Sequence, residues 1–419
     1  MTESLFSSLF LSTLALVTMV RVWLGIRHIR HIRRNRVQVP PAFAAMISKA
    51  DHEKAADYTI AKTELNLLDV ALGAGWVTLL TLGGGLQWLH DACGTLLEPG
   101  GYAHSLAFVG GLALASTLLD LPFAAYRTFA VETRFGFNRM SPRLFMADLL
   151  REALLAVILG APLLMGVLWL MAHMGGKWWL YVWGVWLATN LLILLIYPSF
   201  IAPLFNKFAP MGDLALKERI ERLLERCGFR SNGLFVMDGS RRSAHGNAYF
   251  TGFGKNKRIV FFDTLLERLS PDEIEAVLAH ELGHFNHHHV WKRVVLMGSV
   301  SFVLLALLGY LSQQVWFFRG LGMESSGTAV SLVLFTLVAP LILFGLTPIS
   351  SLVSRKHEFE ADRYAAEQTQ GSDLVSALLK LYKDNASTLT PDPLHSAFYD
   401  SHPSAAQRIM ALQRTGAST

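Results

Sequence analysis

The chain has 419 residues, 52% of them hydrophobic and 16% charged, with 26 Phe and 10 Trp, and a mean hydropathy of +0.36. Soluble domains carry about 25% charged residues, so the composition excludes an ordinary soluble enzyme and indicates a predominantly α-helical, polytopic membrane protein. The net charge is only +5, and the basic residues cluster beside hydrophobic segments rather than on one soluble face, which argues against a nucleic-acid partner.

Hydropathy predicts spans near the ~20 residues that cross the hydrocarbon, at 5–24, 68–89, 103–125, 153–173, 178–200, 294–317 and 328–352. The first is followed at once by Arg27, Arg30, Arg33, Arg34 and Arg36. A cleaved signal carries its basic region before the apolar run, so this segment reads as a retained anchor. The third span contains Asp120 beside Pro122, which weakens its hydropathy without removing it. The connections after the first and third spans are rich in Lys and Arg, whereas 90–102 has neither. The positive-inside rule then sets the amino terminus outside and the carboxyl terminus in the cytoplasm. Cys93 and Cys227 fall on opposite sides of the membrane and cannot pair.

Two stretches, 206–293 and 354–419, are long and mixed enough to build a soluble domain, and both are cytoplasmic in this topology. The chain is expected to divide into a membrane domain, residues 1–206 with five spans, and a second domain, residues 207–419, interrupted by two spans at about 294–317 and 328–352. Within the second, 217–226 reads as an amphipathic helix ended by Gly228, and 233–237, 246–251 and 258–262 read as short strands. Turn chemistry lies at Asp238-Gly239 and at 252–256. Ser270-Pro271-Asp272-Glu273 is a helix start with Ser as cap, Pro in the first turn and Glu at the third position. That helix is predicted to run through His289.

The decisive segment is Ala279-His280-Glu281-Leu282-Gly283-His284. On a helix His280 and His284 are one turn apart on one face, so both imidazoles reach a single zinc ion. Glu281 is offset by about 100° and reaches a metal-bound water as general base. A catalytic zinc takes three protein ligands and keeps one position open, and two His with one Glu is a standard set. His357-Glu358-Phe359-Glu360-Ala361-Asp362 supplies that Glu on a second predicted helix: Glu358 as ligand, with Asp362 four residues on and placed to accept a hydrogen bond from a ligating imidazole. His287 or His288 could be a third ligand instead, but three ligands in a row on one straight helix surround a tetrahedral ion poorly. The run His287-His288-His289 reads as a polar helix end near the membrane surface, and Glu360 as a solvated residue facing away from Glu358. From the span boundaries the zinc lies roughly 9 to 15 Å from the membrane edge.

Further motifs extend the pattern. They are the stretch from Tyr126 through Arg134-Phe135-Gly136-Phe137-Asn138, the run Pro198-Ser199-Phe200-Ile201-Ala202-Pro203-Leu204-Phe205-Asn206, and Asp238-Gly239-Ser240-Arg241-Arg242-Ser243. Asn247-Ala248-Tyr249-Phe250, Lys257-Arg258-Ile259-Val260 and Ser401-His402-Pro403 complete them. With the two metal motifs they make the chain resemble the type I CAAX prenyl proteases, integral-membrane zinc metalloendopeptidases, from about Arg27 to Gln413. The resemblance implies about seven helices enclosing a water-filled chamber, with a gluzincin-like α+β protease domain carrying a small β-sheet and one Zn2+ per chain. It implies a peptide or protein substrate, in the family a prenylated CaaX tail that loses its last three residues. Asn247 would lie on a strand that pairs with substrate backbone, and His402 and Arg408 would approach the cleavage site. The short extracytoplasmic loops suggest a compact bacterial member in the inner membrane, with its active site on the cytoplasmic side. A quality-control protease that cuts membrane proteins at internal sites is the alternative. A non-hydrolytic zinc-binding or zinc-transporting membrane protein is a remote third, because transport needs its ionisable ligands inside the spans and gives no reason for Glu281.

Overall fold

The computed structural model describes residues 1–251 and 256–416. It opens with two long helices, α1 (Glu3–Asn35) and α2 (Lys49–Leu80), each capped by a hydroxyl, Thr2 and Ser48, that accepts from a first-turn amide. Gly25 lets them pack closely, since a Cβ there would lie 2.6 Å from Leu67. The Arg36 guanidinium meets both carboxylate oxygens of Asp57 at 2.7 and 2.8 Å, where α1 ends and α2 begins. Then come α3 (Gly85–Gly94), α4 (Tyr102–Tyr126) and a π-helical turn over Arg127–Glu132. The membrane half ends with α5 (Pro142–His173), α6 (Trp178–Ile196), a π-helical turn at Tyr197–Ile201 and the short α7 (Ala202–Phe205).

The soluble half begins with β1 (Phe208–Pro210), α8 (Leu214–Arg226), β2 (Arg230–Met237), β3 (Ala248–Thr251) and β4 (Asn256–Phe262). The strand order is β1-β2-β4-β3, with β2 and β4 parallel and the outer pairs antiparallel, so β3 is an edge strand. After α9 (Asp263–Leu266) come α10 (Pro271–Asn286), α11 (His289–Leu311), α12 (Val315–Arg319), α13 (Thr328–Phe344) and α14 (Thr347–Gln368). The chain closes with α15 (Gly371–Asp384), α16 (Pro393–Tyr399) and α17 (Ala405–Gly416). Fully buried Ile259 and Phe261 of β4 meet Ile220 and Leu223 of α8, Leu278 and Leu282 of α10 and Leu374 of α15 in one core.

Among the described residues, five helices are long and apolar enough to cross a membrane, or up to seven if each of two bent pairs counts as one span. Their outward faces are apolar, as with Leu150, Phe200 and Val295, which suits lipid rather than water. The fold is mostly helical with a small mixed sheet, as expected, but several boundaries differ. The second predicted span breaks after Leu80, where Gly84 takes φ 75°, and α3 turns away by 54°. The seventh breaks between Phe344 and Thr347, and α14 leaves at 60°. Pro348 in the first turn of α14 explains that break, because its ring cannot continue the preceding helix. The helix predicted through His289 stops at Asn286, since His288 adopts φ 55°. The strand β1 is too short to show in the sequence pattern, β2 starts earlier than expected, and the turn expected at 252–256 lies outside the described residues except for Asn256.

Polar links tie the halves together. Arg242, after β2, bonds both oxygens of Asp148 on α5 at 2.9 and 3.0 Å and also Asn206. The Asp148 and Arg242 side chains are only 10% and 17% exposed. Asp148→Ala should therefore lower stability by about 3 kcal/mol, read as a lower thermal midpoint in detergent; an unchanged midpoint would show the pair to be energetically idle.

Candidate metal centre

The site is assembled by two helices that approach backbone to backbone. Helix α10 is started by Ser270, whose hydroxyl accepts from the Glu273 amide while the Glu273 carboxylate accepts from the Ser270 amide at 2.7 Å. It carries His280 and His284 on one face. Between them Gly283 faces α14: a Cβ at 283 would lie 2.9 Å from the Ala361 Cα and 3.1 Å from its carbonyl oxygen. Ala361 is fully buried. This contact brings Glu358, one turn earlier on α14, between the imidazoles.

The Nε2 atom of His280 lies 3.5 Å from Glu358 Oε2, and that of His284 lies 3.4 Å from Oε1. These separations exceed a hydrogen bond, which centres on about 2.9 Å. They match what two ligand atoms about 2.0–2.1 Å from one tetrahedral ion would show, roughly 3.4 Å. Glu358 Oε2 is buried without a hydrogen-bond partner, and the three ligand atoms lie within 4.8 Å of one another. A buried carboxylate that faces two imidazole nitrogens and has one oxygen without a hydrogen bond is unfavourable unless a cation takes it. The donor set therefore fits a metal.

The outer nitrogens are also engaged. His280 Nδ1 lies 2.9 Å from Asp362 Oδ1. Arg408 on α17 clamps Asp362 with two bonds of 2.9 and 2.6 Å, and the pair is buried. Burial disfavours the charged guanidinium, but the Asp362 bonds outweigh it and hold Arg408 above its usual range. Helix α17 is itself seated by Ala405 and Ile409 against Phe43 and Ile47 of the α1–α2 connection. His284 Nδ1 lies 2.9 Å from His289 Nδ1, and His289 Nε2 lies 2.9 Å from Glu360 Oε2. Glu360 is thus not the solvated residue the sequence suggested, and buried His289 is not part of a polar helix end. No periodicity marks them, because the link depends on the turn at His288.

Glu281 is half-buried beside the ligands and, among the described residues, makes no hydrogen bond or ion pair. His402, whose side chain is 59% exposed, brings Nε2 to 3.5 Å from Glu358 Oε1. Its loop is held by α14: Arg355 donates to the carbonyls of Ser396 and Asp400, and the Ser351 hydroxyl to that of Phe398. Arg408 comes no nearer to Glu358 than 3.8 Å; its short bonds are on Asp362, and Nη2 also lies 3.4 Å from His280 Nδ1. Asn247 directly precedes the edge strand β3. Its carbonyl accepts from the Phe262 amide and its side chain from the Ala248 amide, and among the described residues no hydrogen bond joins it to His280, His284 or Glu358. The rings of Phe250 on β3 and Phe285 on α10, 6.0 Å apart, keep that edge beside the ligand helix.

These features define an integral-membrane metallopeptidase. Residues 28–207 match the CAAX prenyl protease N-terminal model, five membrane helices, and residues 210–416 match peptidase family M48. The chain is 35% identical over 385 residues to CAAX prenyl protease 1 homolog of Arabidopsis thaliana, covering 89% of this chain and 90% of that protein. It is 39% identical over 326 residues to CAAX prenyl protease 1 of Saccharomyces cerevisiae, covering 74% and 72%. The crystal structure of S. mikatae Ste24p superposes with a TM-score of 0.91 at 31% identity, over 97% of this chain and 98% of that one. The chain belongs to peptidase family M48, in the group formed with the CAAX prenyl protease membrane domain.

Gly283→Ala should lower metal affinity at least about tenfold by separating α10 from α14. It should do so although Ala is a better helix former than Gly by roughly 1 kcal/mol. Chelator competition together with the thermal midpoint checks this, and wild-type affinity in the variant would show that the close approach is dispensable. A pH effect follows as well. Burial opposes a charged His280, but the Asp362 carboxylate at 2.9 Å and the facing Glu358 carboxylate outweigh burial and lift it to about 9. Because the pKa is raised, the proton persists up to that pH and competes with the metal. Metal affinity should fall roughly tenfold per unit as pH drops from 9; a flat profile in the same assay would contradict the proton competition.

Proposed function

We propose that the metal is zinc, held by His280, His284 and Glu358, and that the enzyme trims CaaX-type carboxyl-terminal tails at the cytoplasmic face of a bacterial inner membrane. The convergence of those three side chains beside an unpaired Glu281 is the observation that carries the reading. When bound, zinc polarises a carbonyl and lowers the pKa of a water towards ~7.

The chain's own groups then divide the work. Glu281 accepts the proton of the attacking water and returns it to the departing amine. His402, exposed at the rim, donates to the oxygen on which charge develops. Arg408 holds Asp362, and Asp362 orients His280, so we assign both a positioning role. The unpaired edge of β3, entered through Asn247, suits an extended peptide that adds a strand to the sheet, with register supplied by main-chain bonds. The arginine-rich end of the first span supports the cytoplasmic assignment. The two family matches support a division near residue 207. The relatives' names support a CaaX-type substrate, prenylated in the family.

Glu281→Gln should retain the metal and lose about 10²–10⁴-fold in kcat; normal turnover would sink the assigned base. A farnesylated CaaX peptide should be cut once, releasing the last three residues, and its unprenylated twin more slowly, as read by mass. Equal cleavage of both at scattered internal sites would favour the quality-control reading instead.

A further inference from the structure

We propose that Glu360 and His289 form a hydrogen-bond relay that fixes the tautomer and orientation of His284. The relay would be the counterpart of the Arg408–Asp362 clamp on His280. It rests on His280, His284 and Glu358 being the metal ligands.

The argument is a count of protons along one line. His284 turns Nε2 towards Glu358, at 3.4 Å, so a metal takes that nitrogen and Nδ1 carries the hydrogen. That Nδ1 lies 2.9 Å from His289 Nδ1, which must then accept. A neutral His289 that accepts at Nδ1 carries its hydrogen on Nε2, and Nε2 lies 2.9 Å from Glu360 Oε2, an acceptor. Each link holds one hydrogen and one lone pair, with none left over. The ring of His289 is buried at 3% exposure, and His357 stacks on it at 3.9 Å with planes 13° apart, which prevents it from turning. The φ of 55° at His288 makes the geometry possible by turning His289 back towards His284.

The same residues invite a rival assignment, because His289, His357 and Glu360 bring ligand atoms within 4.8 Å of one another. A cation on His289 Nε2 would force its hydrogen onto Nδ1. Two N–H groups would then face each other across 2.9 Å. Occupation of such a second site is therefore incompatible with His284 binding the catalytic metal through Nε2, and we assign the cluster to the relay.

The test is zinc affinity by chelator competition, with the visible spectrum of the cobalt(II)-loaded protein as a second readout of ligand geometry. Glu360→Ala and His289→Phe should each weaken the metal about 10–100-fold, and the double variant should be little worse than either single one. Glu360→Gln keeps an acceptor for His289 and should recover most of the loss. Wild-type affinity and an unchanged cobalt spectrum in both single variants would overturn the relay. So would a second equivalent of zinc that disappears in His357→Ala. Glu358→Gln is the control: if it too keeps full affinity, the ligand assignment itself has failed, whereas its loss alongside unaffected Glu360 and His289 variants condemns the relay alone.

Discussion

Everything at the metal centre depends on how closely α10 can approach α14. The absence of a side chain at Gly283 and the single methyl of Ala361 let the two backbones meet, and small residues at a helix contact are the general device for such an approach. One turn along from this contact, Glu358 enters the space between His280 and His284. A larger residue at either position would leave three correct side chains pointing at different points.

The bilayer-embedded helices are part of that arrangement. Helix α14 follows the apolar helix α13 after a sharp bend of 60°, so Glu358 is carried on a helix that continues from an apolar one. Arg355 and Ser351 on the same helix hold the strap that carries His402. The strap's other end is fixed by Asp392, which caps α16 and accepts from Arg27 of α1. Disturbing the membrane helices therefore disturbs the ligand, the rim histidine and the positioning arginine together.

Both imidazoles that could hold the metal have their outer nitrogens committed, His280 to a carboxylate clamped by arginine and His284 to His289. Buried charge is tolerated here because Asp362, Arg408 and Glu360 each meet an opposite charge or a hydrogen-bond partner, whereas Glu358 Oε2 has no hydrogen-bond partner. That exception is the atom a cation would satisfy. A centre so constrained gains orientation more than stability, since buried ion pairs contribute little net folding energy.

The parts legible in the sequence were those encoded over a few residues. The helical spacing of His280 and His284, the capping residues at Ser270, the offset of Glu281 and the apolar runs of the spans all follow from local periodicity. The pairing of Glu358 with Asp362 follows from the same rule. Tertiary structure alone decided where α10 ends and what the outer nitrogens of the histidines meet. The break at His288 is a single backbone torsion in a residue with no strong turn preference, and Glu360 meets His289 across 71 residues of chain. The sequence therefore determined which side chains could bind a metal, because helix geometry repeats every 3.6 residues. Whether they converge was decided by packing at Gly283 and Ala361, a contact between segments separated in the chain by α11, α12 and α13.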